Sequence, residues 1–254
     1  RTLRDLGEKD NSTQGIPAGQ VHLAGHYIDH ELVSNITEDC NARLSRMRDN
    51  APRRLLISIG GAGAQQQLFI KIIIHLMPLI KQEKVALFVN CGDHSNALNI
   101  FSTQINGFEQ TAVKHNDWLE IKDFAGRILQ NNSTGLHVFC NENPFVAVYT
   151  TNILMRASDI LLTKPSELAF YPIPKLLIER VGGHEAWGAI RAAELGDGTP
   201  ECTGTEFTLQ ALDMLTKEND LLKLYCRQIM ASSELGIYNG AYRAVELATK
   251  KMYQ

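Results

Sequence analysis

The chain has 254 residues, 44% of them hydrophobic and 21% charged, with 19 glycines and 8 prolines; this is a globular composition with enough apolar side chains for a large core, and it excludes a disordered, collagen-like or low-complexity chain. Its 25 Lys and Arg stand against 28 Asp and Glu for a formal charge of −3, so no global basic field is available to hold DNA or RNA. The most apolar run, Leu68 to Ile80, is broken by Lys71, His75 and Pro78 and is too short to cross a bilayer.

Residues 1–20 are polar and turn-rich and read as a tail or linker. No apolar stretch follows the first arginines, so a secretory leader is not expected, and a chain opening on Arg1 reads as a piece of a longer protein. Cys40, Cys91, Cys140, Cys202 and Cys226 are odd in number and form no CxxC pair. They fit thiols in a reducing cytosol, with neither a disulfide framework nor a zinc site written in their spacing. The expected location is cytoplasmic, peripheral to a membrane at most. The Asn-x-Ser/Thr triplets at Asn11, Asn35, Asn131 and Asn132 then read as chance matches.

VHLAGHYID (Val21 to Asp29) reads as a short strand and loop, and Ser34 to Arg48 carries apolar residues at helical spacing until Pro52 closes the unit. RLLISI (Arg54–Ile59) is a strand followed by glycines and a helix over about 65–82. VALFVN (Val85–Asn90) leads into a helix from Ser95 to Phe101. WLEI (Trp118–Ile121) reads as a weaker strand, with Asp123 capping a short helix that ends near Asn131. LHVFC (Leu136–Cys140), a helix from Pro144 to Ala157, DILLT (Asp159–Thr163), KLLIE (Lys175–Glu179) and a helix from near Glu185 repeat the alternation. Short apolar runs separated by helices are what a parallel sheet covered on both faces requires. After Thr199 only helices are predicted, over 206–215, 219–232 and 239–251. The expected architecture is an α/β doubly wound, Rossmann-like parallel sheet over 21–200 with a C-terminal helical extension over 201–254, and its ligand belongs beyond the carboxyl ends of the strands.

Three segments carry chemistry there. In ISIGGAGAQQQ (Ile57 to Gln67), glycines between a strand and a helix leave the helix N-terminus open to an anion such as phosphate. A ligand-free tight turn is an equal reading, because Gln66 stands where a dinucleotide fingerprint would place its third glycine and no Gly-Lys-Ser/Thr follows. In SDILLTKPSELAFYPIPKLLIE (Ser158 to Glu179), Pro165-Ser166-Glu167 opens a short helix that Pro172 and Pro174 must end. Glu167 can then accept two hydrogen bonds from the 2′- and 3′-hydroxyls of a ribose; taken alone, its simpler role is to complement a helix dipole. In VGGHEAWGAIRAAELGDGT (Val181 to Thr199), Gly182 and Gly183 present another helix start, with His184 and Glu185 at its first positions. Three polar, glycine-bearing loops on one sheet edge say more than any one of them.

Other candidates are weaker. His22, His26 and His30 recur at four-residue intervals, which on a helix would stack three imidazoles, but Gly25 and the strand-like context make the spacing a coincidence. Asp93 after VALFVN could serve as the ribose-binding acid of a nicotinamide enzyme or simply cap a helix. Cys91 and Cys140 end strands with no identifiable base beside them.

The order GGAGAQ, DILLTKPSELAFYPIPKLLIE, GGHE resembles the C-terminal, donor-binding half of the GT-B glycosyltransferases. It is most similar to the group of the bacterial lipid-linked N-acetylglucosaminyltransferase and the monogalactosyldiacylglycerol synthases, over roughly Val21 to Thr199. The resemblance rests on Asp159, on Ser166-Glu167-Leu168-Ala169 and on Pro174. It implies that Glu167 binds the ribose of a uridine nucleotide, that Gly60, Gly61 and Gly63 lie close to the sugar diphosphate, and that Gly183, His184 and Glu185 contact donor sugar and phosphates. It further implies a UDP-sugar as donor substrate with no permanently bound cofactor and no metal, transfer of a hexosyl unit to an acceptor that is lipid-linked or a saccharide, and an N-terminal domain that supplies the acceptor site and catalytic base. Catalytic residues are not assigned. The alternatives are a nucleotide-sugar epimerase of the same fold, an NAD-dependent oxidoreductase using the Gly61 loop and Asp93, and a noncatalytic nucleotide-binding module.

Overall fold

The structure, a computed structural model, describes residues 21–59 and 65–252. Six parallel strands form one sheet: β1 (Arg53–Ser58), β2 (Val85–Asn90), β3 (Ala112–His115), β4 (Gly135–Phe139), β5 (Ile160–Thr163) and β6 (Lys175–Leu177), in the order β3-β4-β2-β1-β5-β6. Every residue of β1, β2, β5 and β6 is buried. That explains why these strands read as continuous apolar runs, since helices cover both faces of a parallel sheet. In register, Leu55, Leu56 and Ile57 of β1 lie between Leu87, Phe88 and Val89 of β2 and Ile160, Leu161 and Leu162 of β5.

The helices are α1 (His30–Ser34), α2 (Ile36–Arg48), α3 (Gln66–Lys81), α4 (Ser95–Gln104), α5 (Phe108–Thr111), α6 (Trp118–Gln130), α7 (Pro144–Ala157), α8 (Ala186–Leu195), α9 (Thr205–Lys217), α10 (Asp220–Glu234) and α11 (Gly240–Met252). The chain builds outward from β1 through β2 to β4 and β3, then crosses back to lay β5 and β6 on the other side of β1. The order therefore reverses between β1 and β5, and a sheet of this kind opens a crevice outside the carboxyl ends of the two strands at that reversal. The predicted doubly wound α/β class is the observed one. Of the C-terminal helices, α9 packs on α3, and α10 packs on α2 and α8.

Four sequence expectations are corrected. Trp118–Ile121 is the first turn of α6 and not a strand, because Trp118 and Ile121 continue through Phe124, Ala125 and Ile128 as one helical stripe. The helix cap is Asp117, whose Oδ1 accepts from the N–H groups of Leu119 (2.9 Å) and Glu120 (3.0 Å); Asp123 lies inside the helix and pairs with Arg127. The strand in that region is β3, an edge strand with Val113 half exposed, whose apolar signal is correspondingly faint. Val21–Asp29 holds no strand beyond a single bridge from Tyr27 to Asn239, and the Ser34–Arg48 helix divides at Asn35.

A buried polar cluster fixes β6. Lys175 Nζ meets Asp197 Oδ1 at 2.8 Å and donates to the carbonyls of Tyr171 (2.9 Å) and Ile173 (3.1 Å), while Tyr238 Oη donates to Asp197 Oδ2 at 3.0 Å. Two carbonyl bonds and a close carboxylate answer the ammonium, which is how a charge survives in the core. Beyond β6, Gly198 and Cys202 bridge alongside it in parallel and cover its open edge.

Candidate functional site at the carboxyl edge

Since β5 and β6 are neighbours and parallel, the loops that follow them open side by side. After Thr163 the chain runs through Lys164, Pro165 and Ser166 into a single 3-10 turn, Glu167–Phe170. Pro172 and Pro174 prevent its continuation. The turn is clamped from one side by α8: Ala169, Leu177, Ala189 and Ala192 form their own apolar cluster. Gly188 approaches so closely that a Cβ on it would lie 2.3 Å from the Pro165 carbonyl oxygen. From the other side His26 Nδ1 bonds the Phe170 carbonyl at 3.0 Å, and Arg191 Nε donates to His26 Nε2 at 3.4 Å. Burial lowers the His26 pKa, outweighing that carbonyl bond, so the ring is neutral with Nδ1 as the donor.

Glu167 begins this turn with its side chain exposed. Its carboxyl is held below the ordinary range by its own backbone N–H, then by the Ser166 hydroxyl, with Lys164 adding a favourable charge and Glu185 opposing. The result is an ionised carboxylate standing in solvent just beyond the carboxyl end of β5, with acceptor lone pairs to offer.

After β6 comes a second 3-10 turn, Gly183–Glu185. Glu185 is buried, and its carboxylate closes the loop internally: Oε2 accepts from the N–H groups of Val181 (2.8 Å) and Gly182 (3.2 Å), and Oε1 pairs with Lys164 Nζ. Burial pushes its pKa up, but the Lys164 bond and the two backbone donors outweigh it and keep the group ionised. Glu185 is thus a brace that ties the β6 loop to the β5 loop. His184 is exposed with its ring over Gly182, and Gly183 is open, with nothing within 4 Å of where a Cβ would stand.

The β1 and β6 loops are joined too. Gln65, in left-handed backbone (φ 66°), donates from Nε2 to the Glu179 carbonyl, and Glu179 Oε2 accepts from Gly204 N–H at 3.1 Å. Gly60, Gly61 and Gly63 lie outside the described residues. The site therefore brings together Glu167, Lys164 and the turn of Gly183, His184 and Glu185. Lys164 and Gln65 were not singled out by sequence reasoning; the available signal was their position, a lysine directly after a strand end and a glutamine directly before a helix.

The remaining candidates part ways. His26 and His30 point to different partners, the Phe170 carbonyl and the Tyr242 hydroxyl. Among the described residues no group of three or more His, Cys, Asp or Glu side chains could hold a metal ion. Asp93 sits beyond β2 beside His94, with 3.7 Å between them. Burial pushes the thiols of Cys91 and Cys140 up, opposite to what an activated nucleophile needs. Among the described residues no helix is long and apolar enough to cross a membrane.

Residues 16–249 match a family model described as a domain of unknown function, DUF6938. The chain belongs to this family. No curated protein matches the sequence. Among solved structures, the DUF6938 chain is similar to the UDP-GlcNAc 2-epimerase of Neisseria meningitidis bound to UDP-GlcNAc, with 12% identity and a TM-score of 0.53 over 92% of this chain and 57% of that one. It is also similar to WaaG, a glycosyltransferase involved in lipopolysaccharide biosynthesis (15% identity, TM-score 0.48, 95% of this chain and 60% of that one). A third is the C-terminal CMP-Kdo binding domain of WaaA from Acinetobacter baumannii (9% identity, TM-score 0.46, 78% and 97%). The chain thus spans under two thirds of the first two. The likeness to the epimerase supports the Rossmann-like GT-B fold; the narrower likeness to the lipid-linked transferase group is not among these.

Proposed function

We propose that this DUF6938 chain is the donor-binding part of a GT-B glycosyltransferase that moves a hexosyl unit from a UDP-sugar to an acceptor hydroxyl on a lipid-linked or saccharide substrate. The observation that carries the reading is the ionised, exposed Glu167 just beyond the carboxyl end of β5, next to β1 in the sheet. In this reading its carboxylate accepts hydrogen bonds from both ribose hydroxyls, whose vicinal spacing suits the two oxygens of one carboxylate.

Lys164 stands between Glu167 and Glu185 and is only partly covered. Its ammonium, with the exposed Gly183–His184 backbone and imidazole, faces the negative charge that develops on the diphosphate as the sugar leaves, and preorganised donors of this kind act most strongly on charge that grows in the transition state. Glu185 holds the lysine in place, so the site pairs one carboxylate that binds with one that positions. The glycines at 60, 61 and 63 would line the same diphosphate from the β1 side. The acceptor site and catalytic base belong, in this reading, to a further N-terminal domain, and the whole works in the cytoplasm.

Calorimetric titration with UDP, with GDP and NAD in parallel, tests the assignment on the parent and on Glu167→Ala. Selective UDP binding is expected, and loss of charge-assisted hydrogen bonds worth about 1.5–3 kcal/mol should weaken it by about ten- to 150-fold in the variant. Equal affinity in both proteins refutes the role of Glu167, and binding of NAD alone refutes the donor class. Conversion of UDP-GlcNAc to its C2 epimer without acceptor would assign the epimerase chemistry instead.

A further inference from the structure

The opposite pole of the sheet carries four buried arginines, and three of them are answered. Arg43 donates to the carbonyls of Ser158 (2.8 Å) and Met155 (2.9 Å). Arg46 takes Asp159 Oδ1 through Nε (2.9 Å) and Nη2 (2.8 Å). Arg54 donates to the carbonyls of Ile128 (2.5 Å), Asn131 (2.7 Å) and Ala157 (3.3 Å). Arg53 is the exception. It is only 9% exposed, its one side-chain hydrogen bond runs from Nη2 to the neutral Asn219 Oδ1, no backbone carbonyl or carboxylate meets its guanidinium, and its Nε, like that of Arg54, is buried with no partner among the described residues.

A permanently charged guanidinium left this way pays a desolvation cost that its surroundings do not return. Burial acts most strongly against its charge; Asp159 favours it and Arg46 opposes it, and the balance leaves the guanidinium pKa lowered. Arg53 lines a solvent-open cavity of about 330 Å³ with Arg46, Lys84, Lys217, Glu83 and Asn219 among its walls. Asp159 is taken by Arg46, and Asp213 answers Lys217 at 3.0 Å. Arg53 and the exposed Lys84, neither in an ion pair among the described residues, therefore face the cavity against the single carboxylate of Glu83. The C-terminal ends of α2, α3 and α9 border the space and offset part of this charge. They supply no acceptor to Arg53, in contrast to the carbonyls that meet Arg43 and Arg54.

We infer that this cavity is a binding site for a phosphate group, either inorganic phosphate or the phosphate of a small phosphomonoester, held by Arg53 and Lys84. A tetrahedral oxyanion offers acceptors in several directions at once, which matches a forked guanidinium and a mobile ammonium converging from different elements. The volume leaves room beyond the phosphate for a small organic body. The site lies at the amino edge, away from Glu167, and does not rest on the donor reading.

The test is calorimetric titration of the whole chain with inorganic phosphate and, separately, with glycerol 3-phosphate, at constant ionic strength and with acetate as control. Two exposed-side variants keep it decisive. Lys84→Glu reverses the rim charge, and Asn219→Asp places a carboxylate at the existing partner of Arg53, a position where Asp also suits the start of α10. Saturable phosphate binding is expected in the parent and in Glu167→Ala, weakened at least tenfold in both Lys84→Glu and Asn219→Asp, with Asn219→Asp also raising the melting temperature in phosphate-free buffer. Tighter binding of glycerol 3-phosphate than of phosphate assigns a phosphomonoester, and equal binding assigns the inorganic anion. No saturable binding in the parent, undiminished binding in both variants, or equal binding of acetate overturns the site.

Discussion

The Lys175–Asp197 pair gives the sharpest test of how the site is held. Both side chains are buried, at 0% and 1% exposure, and 2.8 Å apart. Lys175→Met leaves Asp197 charged in the core with only the Tyr238 hydroxyl, and Asp197→Leu leaves an ammonium answered by two carbonyls. Each single change strands a buried charge, at a cost of about 3–5 kcal/mol, a large fraction of a typical stability of about 5–15 kcal/mol. The double variant strands no charge, though Tyr238 and the Ile173 carbonyl lose a partner, so its loss should fall short of the summed singles by at least about 2 kcal/mol. Urea unfolding of the four proteins measures this directly. Because Lys175 Nζ also holds the Tyr171 and Ile173 carbonyls at the end of the Glu167 turn, the single variants that remain folded should bind UDP more weakly. Singles that cost under about 1 kcal/mol, or a double that equals their sum, would refute the claim that charge pairing, and not packing, fixes β6.

Gly188→Ala should destabilise by about 1–3 kcal/mol, since its Cβ would meet the Pro165 carbonyl oxygen at 2.3 Å and backbone cannot yield cheaply; thermal unfolding checks it, and a neutral result would mean α8 does not clamp the turn. His137 is held down to about 4, first by burial and further by His115 against a bond to the Thr134 carbonyl. Between about pH 6.5 and pH 4 the unfolded chain takes up a proton that the folded chain refuses, so stability should fall with falling pH in that window by about 2–3 kcal/mol. Urea midpoints at pH 7 and pH 4.5 should show a flatter dependence in His137→Gln than in the parent. With their thiols pushed up by burial, Cys91 and Cys140 should resist iodoacetamide in the native protein at neutral pH; rapid labelling of either, read by mass spectrometry, would contradict the environment described for them.

The sheet was legible because its central strands are buried on both faces and leave unbroken apolar runs, as RLLISI and VALFVN do. Legibility failed at the edge. β3 leaves Val113 and Lys114 exposed and has His115 as its buried residue, so AVKH carries no strand pattern, and the apolar spacing of Trp118 and Ile121 is easily read with the wrong period. At the site, the turn that carries Glu167 was readable from two prolines, whose effect on backbone is local. The pairing of Lys164 with Glu185 was not, because it joins residues 21 apart in sequence through the adjacency of β5 and β6, which no local pattern encodes. Arg53 was hidden for the same reason: as one of two consecutive arginines opening a strand it looks like its neighbour Arg54, and only the packing shows that one meets carbonyls and the other does not.

The two poles of the sheet carry different electrostatic demands, and the direction of the strands explains both. In a parallel β/α fold the helices run against the strands, so their N-termini gather near the carboxyl edge and their C-termini at the amino edge, each end carrying about half a unit charge. At the amino edge Arg43 and Arg54 answer the exposed carbonyls at the ends of α6 and α7, which accounts for arginines so deep in the core. At the carboxyl edge the field is positive and favours anions. Glu167 and Glu185 are held there as carboxylates by backbone N–H groups and Lys164, and a diphosphate arriving beside them would meet the positive field with Lys164 as its fixed counter-charge. Reversing that lysine should therefore harm more than contact: Lys164→Glu would place a third carboxylate beside Glu185 and Glu167, loosen the brace, and repel the diphosphate together, so its loss of UDP affinity should exceed that of Glu167→Ala. A smaller loss would mean that Lys164 serves the loop alone and the diphosphate lies elsewhere.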